Sequence, residues 1–554
     1  MTEFTKLTSV ADIVKACPTA RRVFDKYGLK GCGGEHGPTE ALEFFAAVHN
    51  VDVDALVREL NAEMRNPRKE EYIYQESLGD FIYRRFFKAG IAIVLSVGAL
   101  WGAINLLQIA LGGTFLQVRL VPAIQAHAHA MIFGWMGLFV MGFAYQSFPR
   151  FKYVSLWRAD LANLTLYLML IGIASRVAAE MLQPMPVGVG LGILAAGTEL
   201  AAITLFILII LKTAQQSVEP HQIYEKFIFG AFFWFFVQAI VSDILFFAKV
   251  TAAGVDQLVM RIALIDGPLR DIQLLGFGAL IIAGVSQRFV PAVYGLGKPR
   301  HDRQTLIFWL INGSLILDVA SYVLLFSTGN LYFSIGLELA FILMAVWAVL
   351  LVMQIRVFAK TSETDRSLKF IRAAYVWLLV SMAMLPFFLV YGVLTHQGFS
   401  HAFMGSYRHA YTVGFVSMMI LGVSSRVVPI LAGVDSKRIS LLWGPFILFN
   451  VGCGGRVVLQ ILTDFIPRVA FPLVGVTGFI EVTALAWWGV ELWHTMNLSR
   501  THRPTAARPA AGGSTVTSAP QRPLAAVGCN PNELLRDLGA SRGRCRGCPS
   551  GRAT

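Results

Sequence analysis

Long apolar runs recur along most of the chain, and they restrict its possible folds more than any other feature of the sequence. Each run has about 20 residues, the length that an α-helix needs to cross a hydrocarbon core of roughly 30 Å. Only 15% of the 554 residues are charged and 55% are hydrophobic, unlike a water-soluble domain. The sequence therefore predicts an all-α membrane bundle of about twelve spans, at residues 87–110, 121–148, 156–181, 186–211, 227–250, 268–293, 304–327, 331–354, 371–395, 406–432, 441–463 and 467–494.

Polar segments flank these spans and divide the chain into four parts. We predict a small soluble helical domain at 1–65, a charged connector at 66–86, the membrane domain at 87–494 and a tail at 495–554. The tail is rich in Arg, Pro, Ala, Gly and Ser, a composition typical of disorder. Near its end is a C-x-x-C pattern, which is either a weak metal or redox signal or an incidental pair.

Basic residues are concentrated in alternate loops between the predicted spans: Arg150, Lys152 and Arg158; Lys298, Arg300 and Arg303; Arg356, Lys360, Arg366, Lys369 and Arg372; Lys437 and Arg438. By the positive-inside rule, these loops and both chain termini are expected in the cytoplasm. The net charge of +13 then reflects topology, and we expect the bilayer of a bacterial inner membrane, and no nucleic acid, as partner. Residues 1–80 lack an apolar segment of the signal-peptide kind.

A threefold repeat runs through the membrane part, in the segments 127–150, 269–292 and 407–430. Each segment has a Gly, a second Gly eight residues later and a Pro seven residues after that, at offsets of 142 and 138 residues, or one unit for every four spans. The repeat aligns His129 with Asp271 and His409. It also aligns Arg176 with Asp318 and Arg456.

Five ionisable side chains within the apolar spans form the predicted site: His127, His129, His409, Arg176 and Arg456. Ionisable groups inside a bilayer are costly and need partners. With the topology above, all five lie towards the outer ends of their spans. Histidines facing one another suit the two faces of a haem iron, and guanidinium groups suit its propionates. The alternative is that the histidines are hydrogen-bonded between helices.

The segment "HAHAMIFGWMGLFVMGFAYQSFPR" resembles the ligand-bearing helices of subunit I of the haem–copper oxidases, above all the cbb type. This resemblance implies three arcs of four helices and a low-spin haem held by His127 and His409. It places Tyr407 at the position of the high-spin haem ligand. Residues 268–293 and 304–327 contain no His, so the usual binuclear centre cannot be assembled. We therefore expect negligible oxygen or nitric oxide reductase turnover.

His129 cannot share an iron with His127, because residues i and i+2 on a helix point about 200° apart. It could serve a second haem or a metal such as copper, or donate a hydrogen bond to Asp271. His396 and His401 could likewise help to bind copper or form an exposed pair. Four acidic residues within spans either form a proton path or pair with neighbouring groups, and we favour pairing: Glu199, Asp243, Glu338 and Glu481.

Two further resemblances point to nitric oxide metabolism. The stretches "HAHAM-x-F-G" and "RHAYTVGF...MILGVSSRV" are similar to the NnrS family, haem-containing twelve-span proteins linked to nitric oxide and nitrosative stress. Residues 10–61, through Pro18, "FDKYG" and Cys32-Gly-Gly, resemble the amino-terminal domain of the ScdA iron–sulfur repair proteins. That family often has a Cys pair where this chain has Gly31-Cys32.

The resemblances imply a b-type haem protein that senses, scavenges or protects against nitric oxide or another small gas ligand. Its front domain, residues 1–65, would contact cytoplasmic iron–sulfur proteins. Two alternatives stay open. One is a redox enzyme or electron carrier that oxidises quinol through the same haem, and the other is a haem or metal transporter.

Overall fold

The structure is a computed structural model that describes residues 3–27, 41–49, 51–67, 78–115, 117–152, 154–218, 220–361, 365–396, 398–432, 434 and 439–501. Within these ranges the chain is helical, and its one β-type pairing is an isolated bridge between Ser9 and Ala41. Twelve described helices are long and apolar enough to cross a membrane, and we number them spans 1 to 12 in chain order: Leu78–Gly112, Val118–Phe151, Ala159–Leu182, Pro186–Gln215, Ile223–Val250, Val255–Val293, His301–Thr328, Phe333–Ile355, Leu368–Thr395, His401–Ala432, Trp443–Leu462 and Pro467–Leu498.

The predicted all-α class and the twelve apolar helices are thus confirmed, whereas some boundaries differ. Span 1 begins at Leu78, within the stretch predicted as connector. Its charged first turns have partners of their own, for Arg85 donates a hydrogen bond of 2.8 Å to Asn163 on span 3. Most of the connector and nearly all of the tail, including its C-x-x-C pattern, lie outside the described residues. The arrangement in three arcs stays a prediction.

Four short helices precede the spans: α1 (Val10–Ala16), α2 (Arg21–Lys26), α3 (Leu42–His49) and α4 (Val53–Arg65). Buried apolar side chains from all four form one small core. Ile430 and Leu431, at the end of span 10, pack against that core. The first domain therefore rests on the membrane part.

The sequence predicts helix N-caps at Thr19, Thr39 and Asp52, whose side-chain oxygens can accept the free backbone N–H groups of a first turn, and these predictions have different outcomes. Asp52 caps α4, with its carboxylate accepting the backbone N–H of Asp54 at 2.9 Å. The prediction for Thr19 is wrong, because a 3₁₀ turn that starts at Pro18 runs directly into α2, and the Thr19 hydroxyl instead lies 3.3 Å from the sulfur of Cys17. Thr39 lies outside the described residues.

The threefold repeat is visible as a shared irregularity of the helices. Spans 2, 6 and 10 each contain an eight-residue π-helical segment, at Ala130–Gly137, Ile272–Ala279 and Ala410–Ser417. These segments begin directly after His129, Asp271 and His409. π-helical turns are rare and are found mostly at functional sites. The three aligned residues therefore share one structural position, the last residue before a π-helical segment.

The first glycine of each repeat admits a side chain from the preceding span. An added Cβ atom would lie 2.5 Å from Ile93 at Gly134, 2.8 Å from Trp234 at Gly276 and 2.4 Å from Trp377 at Gly414. Those three neighbours belong to spans 1, 5 and 9. Equivalent glycines thus allow equivalent helix pairs to approach closely, as small residues do in membrane bundles.

Candidate functional site

His127 lies on span 2 with its ring pressed against span 1. Its Nδ1 atom is 2.9 Å from the carbonyl oxygen of Gly98. Because a carbonyl oxygen only accepts, Nδ1 must carry the proton, which leaves Nε2 with a lone pair. Backbone geometry at Gly98 is not helical (φ −83°, ψ −114°), and the carbonyl of this residue can therefore turn towards the ring. Gly102, one turn further, leaves the space that the ring occupies.

His409 on span 10 has the same hydrogen-bonding arrangement. Its Nδ1 atom is 2.8 Å from the carbonyl oxygen of Gly405, one turn earlier on the same helix. Within the described part of the chain, no hydrogen-bond partner is found for Nε2 of either His127 or His409. Both imidazoles are thereby held in the tautomer whose Nε2 atom can bind a metal.

The two imidazoles line one cavity of about 300 Å³, within the usual range for small-molecule sites. Spans 1, 2, 6, 10, 11 and 12 contribute to its walls. Three guanidinium groups and two carboxyl groups share this cavity: Arg270, Arg408, Arg456, Asp266 and Glu481. With both imidazoles neutral, positive charges outnumber ionised carboxylates. The lining therefore favours a ligand that carries negative charge.

Arg456 provides the best evidence that a group is expected in the cavity. Its side chain is 6% exposed, and neither Nε nor Nη1 has a hydrogen-bond partner among the described residues. Burying a charged donor without an acceptor costs several kcal/mol, as an order of magnitude. By contrast, Arg270 is satisfied by Asp266 at 2.8 Å and Gln125 at 2.5 Å. An anionic group beside Arg456 would supply the missing acceptor.

His129 and Arg176 do not line this cavity. The Nε2 atom of His129 is 2.8 Å from Oε1 of Glu199 on span 4, and both side chains are buried. Its partner is therefore Glu199, not Asp271. Arg176 is paired with Asp243 on span 5 and stacks on Phe246. The structure thus brings together His127, His409 and Arg456, and it places the other two predicted residues in a separate buried ion cluster.

The remaining sequence candidates are dispersed. Asp271 lies beside Asp318, the residue that the repeat aligns with the two arginines. His396 follows span 9, and His401 is an exposed first residue of span 10. Within the described ranges, no three His, Cys, Asp or Glu side chains are placed to hold a metal ion together. Copper at His129 or at the His396 and His401 pair stays a prediction.

Comparison with known families identifies the membrane part. The model of a family described as NnrS protein matches residues 80–500. The chain belongs to the NnrS family. No curated protein matches it. The NnrS region starts two residues into span 1 and contains every residue of the cavity, whereas α1 to α4 lie before it. The resemblances to the ScdA proteins and to the haem–copper oxidases stay predictions.

Sequence reasoning missed two basic residues of the NnrS cavity. Arg270 and Arg408 are aligned by the repeat, at the same 138-residue offset that relates Asp271 to His409. Each stands two residues before the first residue of its π-helical segment. Arg270 lies 2.8 Å and Arg408 lies 3.9 Å from a carboxylate oxygen of Asp266. A search for charged residues at equal repeat positions within spans would have found both.

Proposed function

We propose that this NnrS protein binds a b-type haem between His127 and His409 and acts in nitric oxide metabolism. The observation that carries the proposal is the matched pair of imidazoles, each with Nδ1 engaged by a backbone carbonyl and each lining the same cavity. Two imidazoles alone make an incomplete site for a bare ion, whereas a porphyrin supplies the remaining ligands of iron. The nitric oxide role is what the family resemblance implies.

The residues present fit such a group. Arg456 has buried donors without an acceptor, which a propionate would satisfy, and Arg408 is placed to assist it. Covalent attachment of haem uses a C-x-x-C-H sequence. In this chain the C-x-x-C pattern at Cys545 and Cys548 is followed by Pro549 in place of the required His. A non-covalent b-type haem is therefore the form we propose. When bound, the haem would supply an iron that passes an electron, or that takes up a gas ligand in exchange for one of the two imidazoles.

The chain itself contributes orientation and electrostatics. Gly98 and Gly405 fix the tautomer and the plane of each imidazole through their carbonyl groups. The apolar walls, among them Leu106, Ile132 and Phe449, exclude water from the space between the imidazoles. The guanidinium groups hold negative charge at one side of the cavity. In the same proposal, residues 1–65 would contact an iron–sulfur protein, by analogy with the ScdA family.

The test is the haem content and optical spectrum of purified protein, oxidised and reduced, with and without nitric oxide. We expect haem in the wild type and its loss or conversion in His127→Ala and in His409→Ala. His301→Ala, an exposed position at the start of span 7, is the matched control. If both cavity variants kept the wild-type haem content and spectrum, the assignment would be wrong. Steady quinol-dependent turnover, or haem transfer across vesicles, would favour the corresponding alternative function.

A further inference from the structure

A second cavity, of about 90 Å³, lies between spans 2, 6 and 10. We name it the axial cavity, because equivalent residues of the three repeats face it. Four sets of positions at the 142- and 138-residue offsets line it: Phe139, Ile281 and Met419; Val140, Ile282 and Ile420; Phe143, Val285 and Val423; Ala144, Ser286 and Ser424. The three repeats therefore contribute equivalent residues to one cavity.

Almost all of the axial cavity is lined by hydrocarbon. Its polar side chains are the hydroxyl groups of Ser147, Ser286 and Ser424, and the remaining lining residues are Phe, Ile, Val, Met and Ala. The Ser424 hydroxyl donates to the backbone carbonyl of Ile420 in its own helix. A buried water requires roughly 2–4 polar partners, and apolar cavities of about 150 Å³ stay dry and bind xenon or benzene. This lining therefore selects against water.

A layer of side chains lies between the axial cavity and the cavity of about 300 Å³ proposed for haem, which we call the haem cavity. The layer consists of Met136, Gly278 and Val416, which the repeat aligns. A Cβ atom at Gly278 would lie 3.5 Å from the sulfur of Met136 and 3.8 Å from Cγ2 of Val416, so the three residues lie next to one another.

The two cavities come closest along span 10, where Ser417 lines the haem cavity and Met419 lines the axial cavity. On spans 2 and 6 the nearest lining residues are seven positions apart, Ile132 and Phe139 on one span and Leu274 and Ile281 on the other. At about 1.5 Å per residue of an α-helix, the separation is roughly 3 Å along span 10 and roughly 10 Å along spans 2 and 6. Between the cavities, Met136 has a flexible side chain and Gly278 has none, so the layer offers little obstruction at these two residues.

We propose that the axial cavity holds a small apolar gas molecule and exchanges it with the haem cavity through the layer of Met136, Gly278 and Val416. Its volume is too small for a porphyrin or a whole acyl chain, and its lining suits a diatomic gas such as nitric oxide or dioxygen. The proposal that the axial cavity holds a gas molecule does not depend on the presence of haem. Only the exchange step rests on the proposed function.

Xenon is the probe for occupancy, since it binds dry apolar cavities of this kind. The experiment measures the saturable xenon chemical-shift change by NMR on the purified full-length protein. We expect it in the wild type and expect its loss in Val285→Phe and in Val423→Phe, which fill the cavity. The repeat already carries a Phe at the equivalent residue, Phe143, so these substitutions suit the local packing. Val346→Phe, 42% exposed on span 8, is the control and should retain the wild-type response.

Occupancy is overturned if both filling variants keep the saturable response of the control, or if a crystal structure shows a lipid acyl chain or ordered water in the axial cavity. These outcomes do not depend on haem. A protein that binds xenon but no haem would contradict the proposed function and leave the gas site in place.

The exchange step is tested by the rate at which nitric oxide rebinds to the reduced haem after flash photolysis. The methyl group of Gly278→Ala fits the available space and should narrow the passage through the layer. The larger side chain of Gly278→Leu should close that passage. We expect progressively slower rebinding in these two variants and an unchanged rate in Gly313→Leu, at a glycine with no atom within 4 Å of an added Cβ. Equal rates in all variants would overturn the connection between the two cavities.

Discussion

Gly102 and the imidazole of His127 are packed so closely that a Cβ atom at residue 102 would lie 2.4 Å from Cε1 of the ring. The two residues lie on neighbouring spans, and a ring that moved away from Gly102 would lose its hydrogen bond to Gly98. The absence of a side chain at residue 102 therefore determines where the ring of His127 lies.

We expect Gly102→Ala to displace the His127 ring and to lower haem occupancy severalfold, although no ligand is altered. The measurement is the ratio of haem to protein after purification, together with the oxidised and reduced spectra. Gly197→Ala, where an added Cβ meets no atom within 4 Å, controls for the effect of alanine in a span. Wild-type haem content in Gly102→Ala would contradict the assigned position of the ring.

The two arginines at equivalent repeat positions should respond differently to substitution. Arg456→Leu removes a charge-assisted hydrogen bond to the proposed ligand, worth roughly 1.5–3 kcal/mol, and should weaken haem affinity accordingly. Arg176→Leu leaves Asp243 buried without its partner, which should lower the free energy of unfolding by roughly 3–5 kcal/mol without changing haem affinity. Haem titration and thermal unfolding separate the two effects. Equal losses of haem affinity would show that Arg176 also reaches the ligand.

Substitution of His129 should lower the free energy of unfolding and leave haem binding unchanged. In His129→Ala, Glu199 stays buried without its hydrogen-bond partner, a change that costs roughly 1–3 kcal/mol. Adding Glu199→Gln removes the buried carboxylate and should restore part of that loss. We expect the haem spectrum of both variants to match the wild type. A missing second haem, or a missing copper ion in metal analysis, would instead make His129 a ligand.

The orientation of the spans can be tested with single cysteines in a background without native cysteines. Asn330→Cys lies in the exposed turn between spans 7 and 8, and Ser155→Cys lies in the basic loop between spans 2 and 3. By the positive-inside rule, a membrane-impermeant maleimide added to intact cells should label residue 330 and not residue 155. The reverse pattern would place both chain termini on the outer side.

Much of the fold follows directly from hydropathy, but the site follows from it only in part. Apolar length identifies the spans because a bilayer leaves few alternatives to helices. The repeat singled out His409 and Arg456, and the structure places both in the lining of one cavity. It failed to indicate the surroundings of Arg176, because Asp243 lies two spans away and no periodicity links the two residues. Register shows which positions are equivalent, whereas the neighbouring spans decide what each position contacts.

The start of span 1 shows a similar limit. Residues 78–86 include charged side chains, and hydropathy alone therefore assigns them to the connector. Their polar groups have partners on other spans, such as Asn163, and helix formation continues into this stretch. A local window of sequence contains no information on those partners.

The π-helical segments have a consequence for insertions and deletions. Each successive residue of an α-helix turns the chain by about 100°, and a π-helical turn accommodates one residue more than an α-helical turn. Removing one residue from Ala130–Gly137 would allow span 2 to become regular and would rotate everything before it, His127 included, by about that angle relative to the glycines that follow. The same holds for Ala410–Ser417 and His409. Each segment therefore sets the angle between an imidazole and the glycines that follow it, and in span 2 this angle directs both His127 and Gly134 to span 1.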